Sequence, residues 1–232
     1  MDKPRCNERG AGNYRIRTPE LGIIRTVKPP SLSRAEVIAI AIALLILLLQ
    51  ALPDPSPLEY RNTNYAYEPW RWLTAHFIHV NWQHALINAV ALWVVARLFA
   101  PDLTAPRQLW ALLSAALVIS VCLALIYPTI AWYRGLSGAL HGLYFAGSTL
   151  WLIKARPRGF QQLWLPSALF FGGWIKVVLE QPGGATTPYA EWLGAGVVPQ
   201  AHLVGAACGT LLGLLFAISD ANASGEQQRR QQ

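Results

Sequence analysis

Apolar positions in this chain gather into six long runs, separated by shorter stretches rich in proline, glycine, tryptophan and charge. The runs extend from about Ala35 to Leu52, Trp82 to Phe99, Gln108 to Ile126, Leu136 to Ile153, Leu163 to Leu179 and Pro199 to Ile218. Each approaches the length of roughly 20 residues that crosses a bilayer as a helix. The pattern predicts an all-α, polytopic membrane protein with six transmembrane helices. A basic, mostly disordered tail over 1–33 precedes a membrane domain over 34–219, and a polar tail over 220–232 follows it. Two connections are long: Pro53 to about Asn81, rich in Pro, Tyr and Trp, and Gln181 to Val198, rich in Gly and Pro and containing Glu191 and Trp192. Connections of that length inside a compact domain are more often functional than idle.

Composition supports the reading. The chain is 53% hydrophobic and 13% charged with ten tryptophans, whereas about a quarter of an ordinary soluble domain is charged. The net charge of +7 could point to nucleic acid, but the basic residues lie at the termini and in the short connections. That distribution sets membrane orientation. Lys and Arg concentrate in the N-terminal tail, at Arg97 and Arg107, at Lys154, Arg156 and Arg158, and at Arg229 and Arg230, while Arg61, Arg71 and Arg134 stand on the opposite side. Both termini are therefore expected to be cytoplasmic, with the long first loop outside. The N-terminal basic region is too long, and the first apolar run too near a full span, for a signal peptide. Cys6, Cys122 and Cys208 form no disulfide or metal framework and are read as free thiols.

With that topology the second, fourth and sixth helices all enter from the outer side, so their first turns lie at similar depth. Those turns carry His84 and Asn88, Ser137, and His202. Polar residues inside a membrane domain are costly and usually face one another or a water-filled cavity. Ser137 lies between Gly135 and Gly138 at a helix start, where free N–H groups can meet a developing oxyanion. It is a nucleophile if an imidazole can take its proton, and otherwise a packing serine. His202 is the best placed base. Gly205, Gly209 and Gly213 on its helix match Gly138, Gly142 and Ala146 on the other, and two such small ridges allow close approach. The plain alternative is that the ridges only pack.

His84 and Asn88, one turn apart, can donate to an oxyanion or simply tie their helix to a neighbour. His141, four residues after Ser137, is either a rival base or a supporting group. His76 and His79 read as structural hydrogen-bonding groups, because no carboxylate-containing metal motif accompanies them. No metal and no organic cofactor are expected.

Gly135-Leu136-Ser137-Gly138 resembles the Gly-x-Ser-Gly motif of rhomboid intramembrane serine proteases. His84-Ala85-Leu86-Ile87-Asn88 resembles their His-x-x-x-Asn, Ala201-His202-Leu203-Val204-Gly205 their Ala-His-x-x-Gly, and Trp70-Arg71 the Trp-Arg of their first outer loop. The resemblance covers about residues 34 to 218. It implies a six-helix rhomboid-like bundle, a Ser137/His202 dyad without an acidic third member, and an oxyanion pocket from His84, Asn88 and the Ser137 amide. It also implies that the loop between the fifth and sixth helices acts as a cap, with the fifth helix shifting to admit substrate.

The longer string through His141 and Gly142 resembles the rhombosortase branch. That branch implies a bacterial inner membrane enzyme, its site open to the periplasmic side. Its partner would be a membrane-anchored substrate with a C-terminal transmembrane segment of the GlyGly sorting type, and no nucleic acid. Two rival readings remain: a catalytically silent rhomboid-like protein that binds membrane clients, and a polytopic transporter. The transporter is disfavoured because no broken-helix repeats accompany the intramembrane histidines.

Overall fold

The computed structural model describes residues 31–64, 66–182 and 197–231. Most of the basic tail, and with it Cys6, lies outside the described residues, as do Glu191, Trp192 and most of the expected cap loop.

Seven α-helices occur among the described residues: α1 (Arg34–Gln50), α2 (Arg71–Thr74), α3 (Trp82–Phe99), α4 (Ala105–Leu125), α5 (Ser137–Ala155), α6 (Phe160–Leu179) and α7 (Pro199–Arg230). Six of them follow the six apolar runs, with ends shifted by a few residues. The shifts have local causes. Ser33 and Glu36 close a reciprocal capping box at the start of α1, and Asn81 accepts from the His84 amide to cap α3, each satisfying N–H groups that a helix start leaves free. Pro106 and Pro199 sit in the first turns of α4 and α7, where a missing N–H costs nothing.

Four helices, α3, α4, α6 and α7, are long and apolar enough to cross a membrane, and the chain is a multi-pass membrane protein. α1 has 17 residues, and α5 dilutes its apolar content with Ser, His and Gly while lying largely buried in the bundle. α7 continues past Ile218 to Arg230. Its extension is rich in Ala, Gln and Arg, which favour helix, and is anchored by Asp220, which accepts from Arg107 at 2.7 Å and pairs with Lys154 at 3.2 Å.

α5 is the central element, and it packs most extensively on α7. A Cβ on Gly205 would overlap Gly138 O, and one on Gly209 would overlap Gly142 O. The two backbones meet with nothing between them. Below this ridge the core fills with Leu92, Phe99, Leu112, Leu143 and Leu150.

The 53–81 connection is ordered rather than loose. Arg71 is buried, 7% exposed, and donates to Ser56 O at 2.6 Å, Glu59 O at 2.8 Å and the Glu68 carboxylate at 2.8 Å. The guanidinium also holds the Glu68 carboxyl below the usual carboxylate range, with Asn64 helping. Two short strands, β1 (Tyr60–Arg61) and β2 (Trp132–Tyr133), pair antiparallel with Tyr60 opposite Tyr133. Glu59 pairs with Arg61 and with Arg134, the latter at 2.6 Å. The 53–81 connection is thus fastened to the segment that leads directly into α5.

Candidate active site

Ser137 reaches its position through a turn that only glycine fits. Gly135 has φ +125°, a left-handed conformation, and a Cβ there would lie 2.8 Å from His84 Cε1. The turn is held on every side. The Gly135 N–H donates to Ala75 O at 3.0 Å, the buried Tyr133 hydroxyl donates to Gly135 O at 2.7 Å, and the Leu136 N–H donates to His79 Nε2 at 3.2 Å. His76 Nε2 meets Ser120 Oγ at 3.1 Å, and that hydroxyl donates to Trp72 O at 2.7 Å. His76 and His79 are fully buried. Burial pushes His76 down to about 4 and, with His84 and His76 nearby, His79 down to about 3. Both are neutral ties between the 53–81 connection and the serine turn.

At the head of α5, Ser137 Oγ lies 2.9 Å from His202 Nε2. The close α5–α7 ridge explains the meeting, since Gly138 packs against Ala201, the one adjoining Ser137 in the chain and the other adjoining His202. His202 is 3% exposed. Its other nitrogen, Nδ1, lies 3.0 Å from Glu180 Oε2, at the C-terminal end of α6. The family resemblance implies no acidic member at this position. Lys176 Nζ is 2.7 Å from Glu180 Oε2 and 2.9 Å from His141 Nε2.

His141 does not reach Ser137 Oγ through any hydrogen bond among the described residues. Its ring stacks on His202, centroids 4.3 Å apart and planes 17° from parallel, and its Nδ1 lies 2.7 Å from Ser137 O. A carbonyl only accepts, so Nδ1 carries the proton. The geometry favours a supporting role over that of rival base.

A cavity of about 530 Å³ opens beside the pair, lined by Ser137, His202, His84 and Asn88 and then by apolar Leu140, Tyr144 and Phe145. The His84 ring stands edge-on to His79, centroids 4.9 Å apart, and its buried Nδ1 has no hydrogen-bond partner. Asn88 Nδ2 spends one hydrogen on His84 O at 2.8 Å, leaving the second available. Gly135, Gly138 and Gly205 line no chemistry; they supply the left-handed turn and the backbone contact.

His141, Glu180 and His202 also present three metal-ligating atoms within 4.8 Å of one another. The Lys176 ammonium stands against two of these groups, His141 Nε2 and Glu180 Oε2.

Fold and site together define a helical multi-pass membrane protein with a serine and an imidazole joined at the starts of two packed helices. The rhomboid domain matches residues 66–219, and the chain belongs to the rhomboid family, a family of serine intramembrane proteases. No curated protein matches the chain.

Proposed function

We propose that this protein is a serine intramembrane endopeptidase in which Ser137 is the nucleophile and His202 the base. The observation that carries the reading is the 2.9 Å contact between Ser137 Oγ and His202 Nε2, opening on a largely apolar cavity. In the first step His202 Nε2 takes the hydroxyl proton as Oγ attacks the substrate carbonyl. The tetrahedral oxyanion is held by the Ser137 amide with His84 and Asn88, where one such donor is typically worth about 3 kcal/mol. His202 then protonates the leaving amine, and water activated by the same imidazole releases the acyl group.

The substrate is a membrane-anchored protein cut near the outer face of the bilayer. The stretch from Gly135 through His141 and Gly142 supports the narrower reading: a rhombosortase that trims the C-terminal GlyGly-type sorting segments of secreted proteins in a bacterial inner membrane. In this reading all six long helices span, both termini are cytoplasmic, the site opens to the periplasm, and the tails 1–33 and 220–232 flank a membrane domain of 34–219. The distribution of Lys and Arg supports that orientation.

Co-expression with a client carrying a GlyGly-type C-terminal anchor tests both levels. Cleavage should vanish in Ser137→Ala and in His202→Ala, and full cleavage by Ser137→Ala would remove the protease reading. Processing of an anchored client regardless of its Gly-Gly motif would leave the protease and remove the narrower specificity.

A further inference from the structure

The contacts around Ser137 close into a ring whose hydrogen-bond senses are forced one by one. Ser137 O can only accept, so His141 donates from Nδ1 and its neutral ring leaves Nε2 bare. That bare nitrogen accepts from the Lys176 ammonium, which has only donors. Lys176 also donates to Glu180 Oε2, and an ionised carboxylate has only acceptors. His202 must therefore carry its proton on Nδ1 to satisfy Glu180, which leaves Nε2 as a lone pair facing the Ser137 hydroxyl.

We infer that Glu180 is a positioning residue that makes the site a Ser137–His202–Glu180 triad, with Lys176 and His141 fixing the carboxylate in place. The inference rests on the Ser137/His202 reading and extends it. An imidazole with no partner at Nδ1 can hold its proton on either nitrogen, and only one tautomer is a base toward Ser137. Glu180 selects that tautomer. When His202 takes the serine proton, the imidazolium formed faces a carboxylate at 3.0 Å. Before that step the carboxylate needs a countercharge of its own, because an unpaired buried charge is very costly; Lys176 supplies it. Among the described residues, the titratable and charged groups around His202 are Glu180 and Lys176 on α6, His141 on α5 and His84 on α3, and Glu180 is the only acid of these.

The test uses the full-length protein in detergent and the rate at which a fluorophosphonate probe labels it, which reads activation of Ser137 without knowledge of the substrate. Glu180→Gln keeps the shape but removes the obligate acceptor, and labelling should slow on the order of 10²–10⁴-fold while the protein stays folded. Glu180→Asp restores a carboxylate and should recover at least about tenfold of that loss. Labelling of Glu180→Gln at the wild-type rate, or equal slowing in Gln and Asp, overturns the triad. Wild-type labelling in Ser137→Ala would instead overturn the underlying protease reading. If Glu180→Gln cannot be purified folded, ¹⁵N-histidine NMR of the wild-type protein decides: His202 protonated at Nδ1 supports the triad, and protonation at Nε2 overturns it.

Discussion

α7 and α6 both lie against α5 and each brings one partner to the site, but they are held in opposite ways. α7 meets α5 backbone to backbone along Gly205, Gly209 and Gly213, and this contact delivers His202. α6 leans on α5 through ring edges, with Phe145 facing Trp174 at 5.0 Å and Phe170 at 6.0 Å between centroids, and through the Tyr144 hydroxyl donating to Leu169 O at 2.7 Å. Only 11% of the apolar window of α6 is buried, against 33% for α7. The Ser137–His202 pair is thus set by a contact with no freedom, while the proposed third member rides on a helix that can shift by reorienting side chains. A site that must stay aligned and yet admit a substrate segment needs both kinds of contact.

The most severe way to break the fixed side is Gly205→Leu. The new side chain has no space, since even its Cβ overlaps Gly138 O, and a backbone carbonyl in a helix cannot turn aside. Overpacking ordinarily costs about 1–3 kcal/mol, and this case exceeds the usual relief by side-chain adjustment. The expected outcome is no stable fold, or a folded remnant without fluorophosphonate labelling, read by thermal unfolding in detergent. Next is Arg71→Ala, which strips two loop carbonyls and Glu68 of their shared buried donor. Leaving a buried carbonyl without its donor costs about 1–3 kcal/mol, and labelling of Ser137 should fall with it, because the loop that Arg71 binds together also holds the serine turn. Unchanged stability in Arg71→Ala would mean that the 53–81 connection is dispensable to the fixed side.

Acid should attack the same side by a separate route. His76 and His79 have folded values well below the ordinary 6.5, so the unfolded chain binds protons that the folded one refuses. Stability is then at its full value above about pH 6.5 and falls as the pH drops toward the folded values. For His76 alone the loss between 6.5 and about pH 5 amounts to roughly 2 kcal/mol. His76→Gln should flatten that part of the curve of unfolding midpoint against pH. A curve as steep in His76→Gln as in the wild type would place the acid-sensitive group elsewhere.

Much of the fixed side was legible in the chain. Six apolar runs located six of the seven helices, and glycine ridges of equal spacing put α5 against α7, because close helix contact leaves a periodic trace of small residues. The 53–81 connection left none. Arg71 reads as an interface residue between two tryptophans, yet its side chain is the hub of the loop; nothing in a local pattern tells a buried arginine from an exposed one. β1 and β2 are two residues each and pair across about seventy positions, too short for any alternation to register. Glu180 was missed for a related reason. It sits at the end of an apolar helix, one turn from a lysine, and such an i,i+4 pair is satisfied locally; only the fold brings His202 to its other side. The available signal was an acid at the end of the fifth apolar run, which becomes informative only once α6 and α7 are known to be antiparallel neighbours.

The mildest substitution sharpens the contrast between the two helices most directly, because it repeats the addition of a methyl group on the adaptable side. In Gly173→Ala the new Cβ would meet Tyr144 Cε1 at 2.9 Å and Phe145 Cζ at 3.0 Å. These are ring atoms of side chains that border the cavity, and a small rotation or an outward shift of α6 relieves them. The cost to stability should be about 1 kcal/mol or less. The effect should fall instead on the cavity, which Gly173 also lines: KM for an anchored client should change while fluorophosphonate labelling, which reads only Ser137 and its base, stays near the wild-type rate. Gly205→Ala, the same chemical change against a backbone carbonyl, should lose both. Equal damage from the two alanines would mean that α6 is held as rigidly as α7, and the division between a fixed and an adaptable wall would fail.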